Sequence, residues 1–231
     1  AFGSNVRIAA MVGELLTRGT AKRDQKQLTD ELNRLQSGVN VYSGMGGLTV
    51  NFKTTRQHWP AFSLLLTEML REPAFLSPTF PSRIFETWKR EKIASINANR
   101  DSGESLAQNA VTRALSPYPA NDPRYVVSTD EALAAWNSLT LDEVKQFWTR
   151  FSGANVSQFA AAGALDVDAV QRGIVPLFDN WTAAKPYQRI PYTLPLWTPQ
   201  ASTIATPDKT NAALLSRRYL SLKPYTREAL A

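Results

Sequence analysis

Metal-assisted, nucleophilic and acid–base catalysis each need particular side chains within reach of one another, and this chain holds few of them. Among 231 residues there is one histidine, His58, and no cysteine, which excludes disulfides and thiolate metal sites. A zinc site built on histidine needs further nitrogen or oxygen ligands. His58 therefore reads as a surface or capping residue of Arg56-Gln57-His58-Trp59-Pro60, at the start of a helix. Glu14 and Glu91 stand on helical stretches, but a lone carboxylate lacks the ligand count that zinc requires. Glu14 accordingly reads as structural or solvent-facing. No Gly-rich phosphate loop, G-x-S-x-G elbow or paired-carboxylate motif occurs. Asn155-Val156-Ser157 and Asn180-Trp181-Thr182 match the glycosylation triplet, a pattern common by chance.

The elements that would position these residues follow from periodicity. Ile8, Met11, Val12, Leu15 and Leu16 recur at helical spacing, so residues 4–17 read as a buried amphipathic helix, closed by Gly19. Val39/Val41 and Leu48/Val50/Phe52 alternate at period two around Gly44, Gly46 and Gly47, which predicts a β-hairpin. The following helix buries Phe62, Leu65, Leu66, Met69 and Leu70, and Pro73 stops it. Residues 80–100 form a long helix with Ile84, Trp88, Ile93 and Ile96 available for burial; residues 104–115 form another. Ser116-Pro117-Tyr118-Pro119 and Asp122-Pro123 mark a loop, because proline breaks both helix and ladder. Ser128-Thr129-Asp130-Glu131 and Thr140-Leu141-Asp142-Glu143 fit the capping box. The second opens a helix that buries Val144, Phe147, Trp148 and Phe151. Residues 155–164 read as a strand of small residues, and residues 166–180 as a last helix. Trp88, Trp136, Trp148 and Trp181 read as core at their helical spacings.

After Trp181 the texture changes. Pro186, Pro191, Pro195, Pro199 and Pro207 forbid a helix, so residues 186–209 read as an extended linker. Residues 210–222, with Leu214, Leu215, Tyr219, Leu220 and Leu222, read as a strand.

The net charge of +6 raises the question of an anionic partner. The basic residues are scattered and mixed with acids, as in Lys89-Arg90-Glu91-Lys92, and no basic stripe carries stacking aromatics. No nucleic-acid partner is expected. No apolar run approaches the roughly 18 residues of a membrane span. The absence of cysteine suits a reducing cytosol or a bacterial periplasm. No signal peptide is visible, and the first residues already read as the start of a helix, as they would inside a longer protein.

One ordered set of segments resembles a known family. Ala10-Met11-Val12-Gly13-Glu14 lies ahead of Arg18-Gly19-Thr20, followed by Ser37-Gly38-Val39-Asn40-Val41-Tyr42-Ser43 and Gly47-Leu48-Thr49-Val50-Asn51-Phe52. Glu72-Pro73-Ala74-Phe75, Phe85-Glu86-Thr87-Trp88-Lys89-Arg90-Glu91, Leu139-Thr140-Leu141-Asp142-Glu143-Val144 and Ala162-Gly163-Ala164-Leu165-Asp166 come next. Together, across residues 1–181, they resemble the pitrilysin/insulinase metallopeptidases (the inverted zincins, which include the mitochondrial-processing-peptidase type). In that family a helix bearing H-x-x-E-H holds zinc through two histidines, and the glutamate activates water.

Counted back from Gly19-Thr20, the three positions here are Ala10, Gly13 and Glu14. A methyl group and a hydrogen cannot ligate a metal. The family's third ligand, a glutamate on the long helix, falls near Ile93-Ala94-Ser95, where no carboxylate stands; Glu91 is about one helical turn early.

The resemblance implies an α/β (α+β) module, mainly antiparallel sheet packed against helices, spanning residues 1–185. Residues 186–209 are then a linker and residues 210–231 the start of a following module. It further implies a non-catalytic half, with no catalytic residue, no metal ligand and no cofactor of its own. Its partner would be an H-x-x-E-H half, on the same or another polypeptide, which holds the zinc and closes with it around a peptide substrate. Arg217 and Tyr219 stand too early in the next module to be the Arg/Tyr pair that non-catalytic halves contribute, and read as strand residues. The alternatives are a structural, core-like subunit of a larger assembly and an anion-binding module.

Overall fold

The computed structural model describes residues 5–44, 47–116, 118–186, 188, 201–206 and 210–217. Helix dominates. The apolar stripe predicted for the first helix forms α1 (Asn5–Leu15), with Ile8, Met11, Val12 and Leu15 all buried. Beyond it Gly19 adopts φ +122°, the region open to glycine, and lets the chain reverse. The reversal is stitched to the rest of the fold. Gly19 pairs with Asp24 and Thr20 with Pro73 as isolated bridges. The Ala74 N–H donates to the Gly19 carbonyl at 3.1 Å and the Ala21 N–H to the Glu72 carbonyl at 2.8 Å. Thr20, only 5% exposed, donates its hydroxyl to Glu68 and accepts from the N–H groups of Lys22 and Arg23.

Asp24 and Gln27 then close a capping box on α2 (Gln25–Arg34). The hairpin follows as β1 (Gly38–Gly44) and β2 (Gly47–Lys53), antiparallel, with Val39 opposite Phe52 and Val41 opposite Val50. Period two sends these apolar residues to α1 and the core, and Asn40, Tyr42, Thr49 and Asn51 to solvent. This hairpin is the sheet among the described residues.

α3 (Trp59–Arg71) buries the apolar face read from its sequence and stops before Pro73. α4 (Ser82–Asn99) buries Phe85 and Trp88, and Trp88 meets Trp136 of α6 (Thr129–Ser138) edge-on at 4.8 Å. Between them runs α5 (Gly103–Ala114). Both predicted capping boxes form, Ser128/Glu131 on α6 and Thr140/Glu143 on α7 (Leu141–Phe151). Val144 and Trp148 are buried; Phe147 and Phe151 are only half-buried, their rings tilted against each other at 4.9 Å.

α8 (Val167–Phe178) lies against α3. The contact needs Gly173: a β-carbon there would sit 2.5 Å from Trp59 Nε1 and 2.8 Å from Ser63 Oγ. The indole N–H of Trp59 donates to the Ala169 carbonyl at 2.8 Å, and Arg71 caps the Pro176 and Asp179 carbonyls at 2.8 and 2.6 Å. Glycine costs helix propensity of about 1 kcal/mol relative to alanine, so an exposed Gly→Ala change would stabilise the helix. Here overpacking of roughly 1–3 kcal/mol wins. Gly173→Ala should lower the denaturant midpoint; an unchanged or raised midpoint would show that α8 is not held this closely.

Two expectations need correction. Residues 155–164 form no strand. Ala154–Val156 is a single 3-10 turn, and the rest is irregular and mostly exposed, held by Phe159 stacked on Phe52 at 6.0 Å. A strand needs a ladder partner to satisfy its main chain, and none of the described residues supplies one. The expected α+β class stands, helix-rich, with the antiparallel β1–β2 hairpin as the sheet among the described residues. Of the strand read over residues 210–222, residues 210–217 are irregular, with Leu214 98% exposed; residues 218–222 lie outside the described residues. The described parts of 186–209 are irregular, and the remainder of that stretch also lies outside them.

Candidate functional site

The face of α1 that the resemblance singles out looks toward two elements. Gly13 is buried, and a β-carbon on it would lie 2.8 Å from Ser43 Oγ and 3.1 Å from Leu48 Cδ1. The hairpin therefore packs on the bare backbone of α1. Glu14, one residue on, turns to α4. Its Oε1 pairs with Lys92 Nζ at 2.7 Å and its Oε2 accepts the Trp88 indole N–H at 3.3 Å. Beside it, Arg18 pairs with Glu91 at 2.8 Å. Ala10 stands on the same helix four residues before Glu14.

The donor set does not fit zinc. Ala10 and Gly13 carry no ligand atom, and both oxygens of Glu14 are engaged. The Lys92 ammonium, on the helix expected to bring a carboxylate, opposes a divalent cation at that spot. Among the described residues no three His, Asp or Glu side chains converge to hold a metal ion. The pair is also not what holds the fold. Glu14 and Lys92 are 46% and 34% exposed, and surface pairs are worth about 0–1 kcal/mol. Its role is to neutralise a carboxylate beside a packed glycine. Neither Lys92 nor Trp88 could be matched to Glu14 from the sequence, because the contact spans 74 residues and leaves no local spacing.

His58 precedes α3 with Nδ1 2.9 Å from Thr55 Oγ1 and without a side-chain capping bond. Arg217 is exposed on irregular chain, and Tyr219 lies outside the described residues.

A second feature went unread in the sequence. The loop between α5 and α6 folds into an open groove of about 440 Å³ lined by Arg113, Ser116, Tyr118, Pro119, Tyr125 and Val126. The Arg124 guanidinium lies over Tyr118 at 3.9 Å and that of Arg113 over Tyr125 at 5.6 Å. Each arginine also faces an acid, Arg124 with Asp122 at 2.8 Å and Arg113 with Glu131 at 3.4 Å. The cations are thus internally matched, which argues against an anion site.

The Arg124 side chain, then its backbone N–H, hold the Asp122 carboxyl down at about 2. The Ser128 backbone N–H, then the Tyr125 hydroxyl, hold Glu131 at about 2, below its ordinary 4.5. Because the folded-state values are depressed, this contribution to stability is complete above the unfolded values and disappears as pH falls through about 2. Unfolding free energy should therefore decline between about pH 4.5 and 2, and Glu131→Gln, which keeps the capping box, should flatten part of that decline. An identical acid profile for wild type and variant would refute it.

No described helix is long and apolar enough to cross a membrane. No protein-family profile and no curated protein matches the chain. Solved structures do. The chain is similar to a peptidase M16 inactive domain from Pseudomonas fluorescens, at TM-score 0.59 and 16% identity over 82% of this chain and 46% of that one. It is similar to a protease from Helicobacter pylori at TM-score 0.57 and 14% identity, covering 82% and 44%. A conserved protein from Enterococcus faecalis matches at TM-score 0.50 and 13% identity, covering 63% and 36%. The chain spans less than half the length of each. At such identities the likeness is one of fold, shared with that peptidase M16 inactive domain.

Proposed function

We propose that this chain is the non-catalytic half of a zinc-dependent peptidase of the pitrilysin/insulinase type, completing with an H-x-x-E-H half a clamshell chamber for peptides. The observation that carries the reading is the α1 face. In a fold shared with a peptidase inactive domain, that helix is given over to packing through Gly13 and to a neutralised Glu14. Zinc and the activated water belong, on this reading, to the partner half. Residues 186–209 then act as linker and residues 210–231 open the following module.

The test is reconstitution. The chain alone should not cleave unstructured peptides, since its described residues bring together no set of metal ligands to activate a water. Mixed with an H-x-x-E-H half encoded on the same polypeptide or beside its gene, it should form a complex that cleaves such peptides and is stopped by chelation. Chelator-sensitive cleavage by the pure chain would overturn the non-catalytic assignment. Failure to bind any such half, or binding without effect on cleavage, would favour a structural subunit.

A further inference from the structure

We draw no further inference here: the strongest candidate, the exposed run of small residues 157–164 anchored to β2 by the Phe159–Phe52 stack, presents main chain without a ladder partner among the described residues, but nothing in the structure shows what covers it.

Discussion

Gly19→Ala is expected to lower the unfolding free energy by about 2–5 kcal/mol, combining backbone strain with a steric clash. At φ +122° an L-residue is strained whatever the space around it. Space is also lacking: the new β-carbon would lie 2.6 Å from the Arg23 carbonyl oxygen and 3.2 Å from the Asp24 carbonyl carbon. These are main-chain atoms and cannot swing aside as a side chain does. Relaxation would have to move the Gly19–Asp24 bridge, and with it the Thr20–Pro73 bridge and the buried Thr20 hydroxyl. Gly38→Ala is the matched control, because nothing lies within 4 Å of its β-carbon position; it should stay within about 0.5 kcal/mol of wild type. Urea titrations of the three proteins measure this directly. Equal midpoints for Gly19→Ala and wild type would mean that the α1–α2 reversal is not tied down as described.

Installing the family's motif, by Ala10→His, Gly13→Glu and Glu14→His, should yield a less stable protein with weak zinc binding at most. Gly13→Glu alone drives a carboxylate side chain into Ser43 and Leu48, which already stand 2.8 and 3.1 Å from its β-carbon position. Overpacking costs about 1–3 kcal/mol, and burying polar atoms without partners adds about 1–3 more. Glu14→His removes the acceptor of Lys92 and Trp88 and leaves an ammonium beside the new imidazoles, a charge that works against a divalent metal. The third ligand is still lacking, as are the hydrogen-bond partners that orient metal-bound histidines and account for about 10–100-fold in affinity. Thermal melting should fall for Gly13→Glu and fall further for the triple variant, and calorimetric zinc titration of the triple variant should be weak. Tight, stoichiometric zinc at an unchanged melting temperature would show that the α1 face retains a usable site.

What could be read from the residues was what local rules govern. The α1 stripe, the hairpin alternation and the two capping boxes at Ser128 and Thr140 each depend on neighbours within a turn or a strand pair, and each is present. The strand read at residues 155–164 failed for a different reason. A run of small residues can serve as strand or loop, and which it becomes depends on whether a neighbouring strand pairs with it. The candidate site divides along the same line. Residue type at positions 10, 13 and 14 was enough to show that ligand atoms are missing, whereas the Glu14–Lys92–Trp88 arrangement and the groove beside Arg113 depend on contacts between distant segments.

The α3–α8 contact also governs the order in which the module can be built. Trp59 waits for a carbonyl 110 residues later, and Arg71 for carbonyls 105 and 108 residues later. A chain emerging from the ribosome exposes Trp59 and its apolar neighbours on α3 until α8 has been synthesised, and must then close a loop of that length before the contact returns any energy. Folding of the module is in this sense deferred to the arrival of α8. Over that interval its early half carries apolar surface that the finished module covers, the condition that makes partly folded chains prone to aggregate.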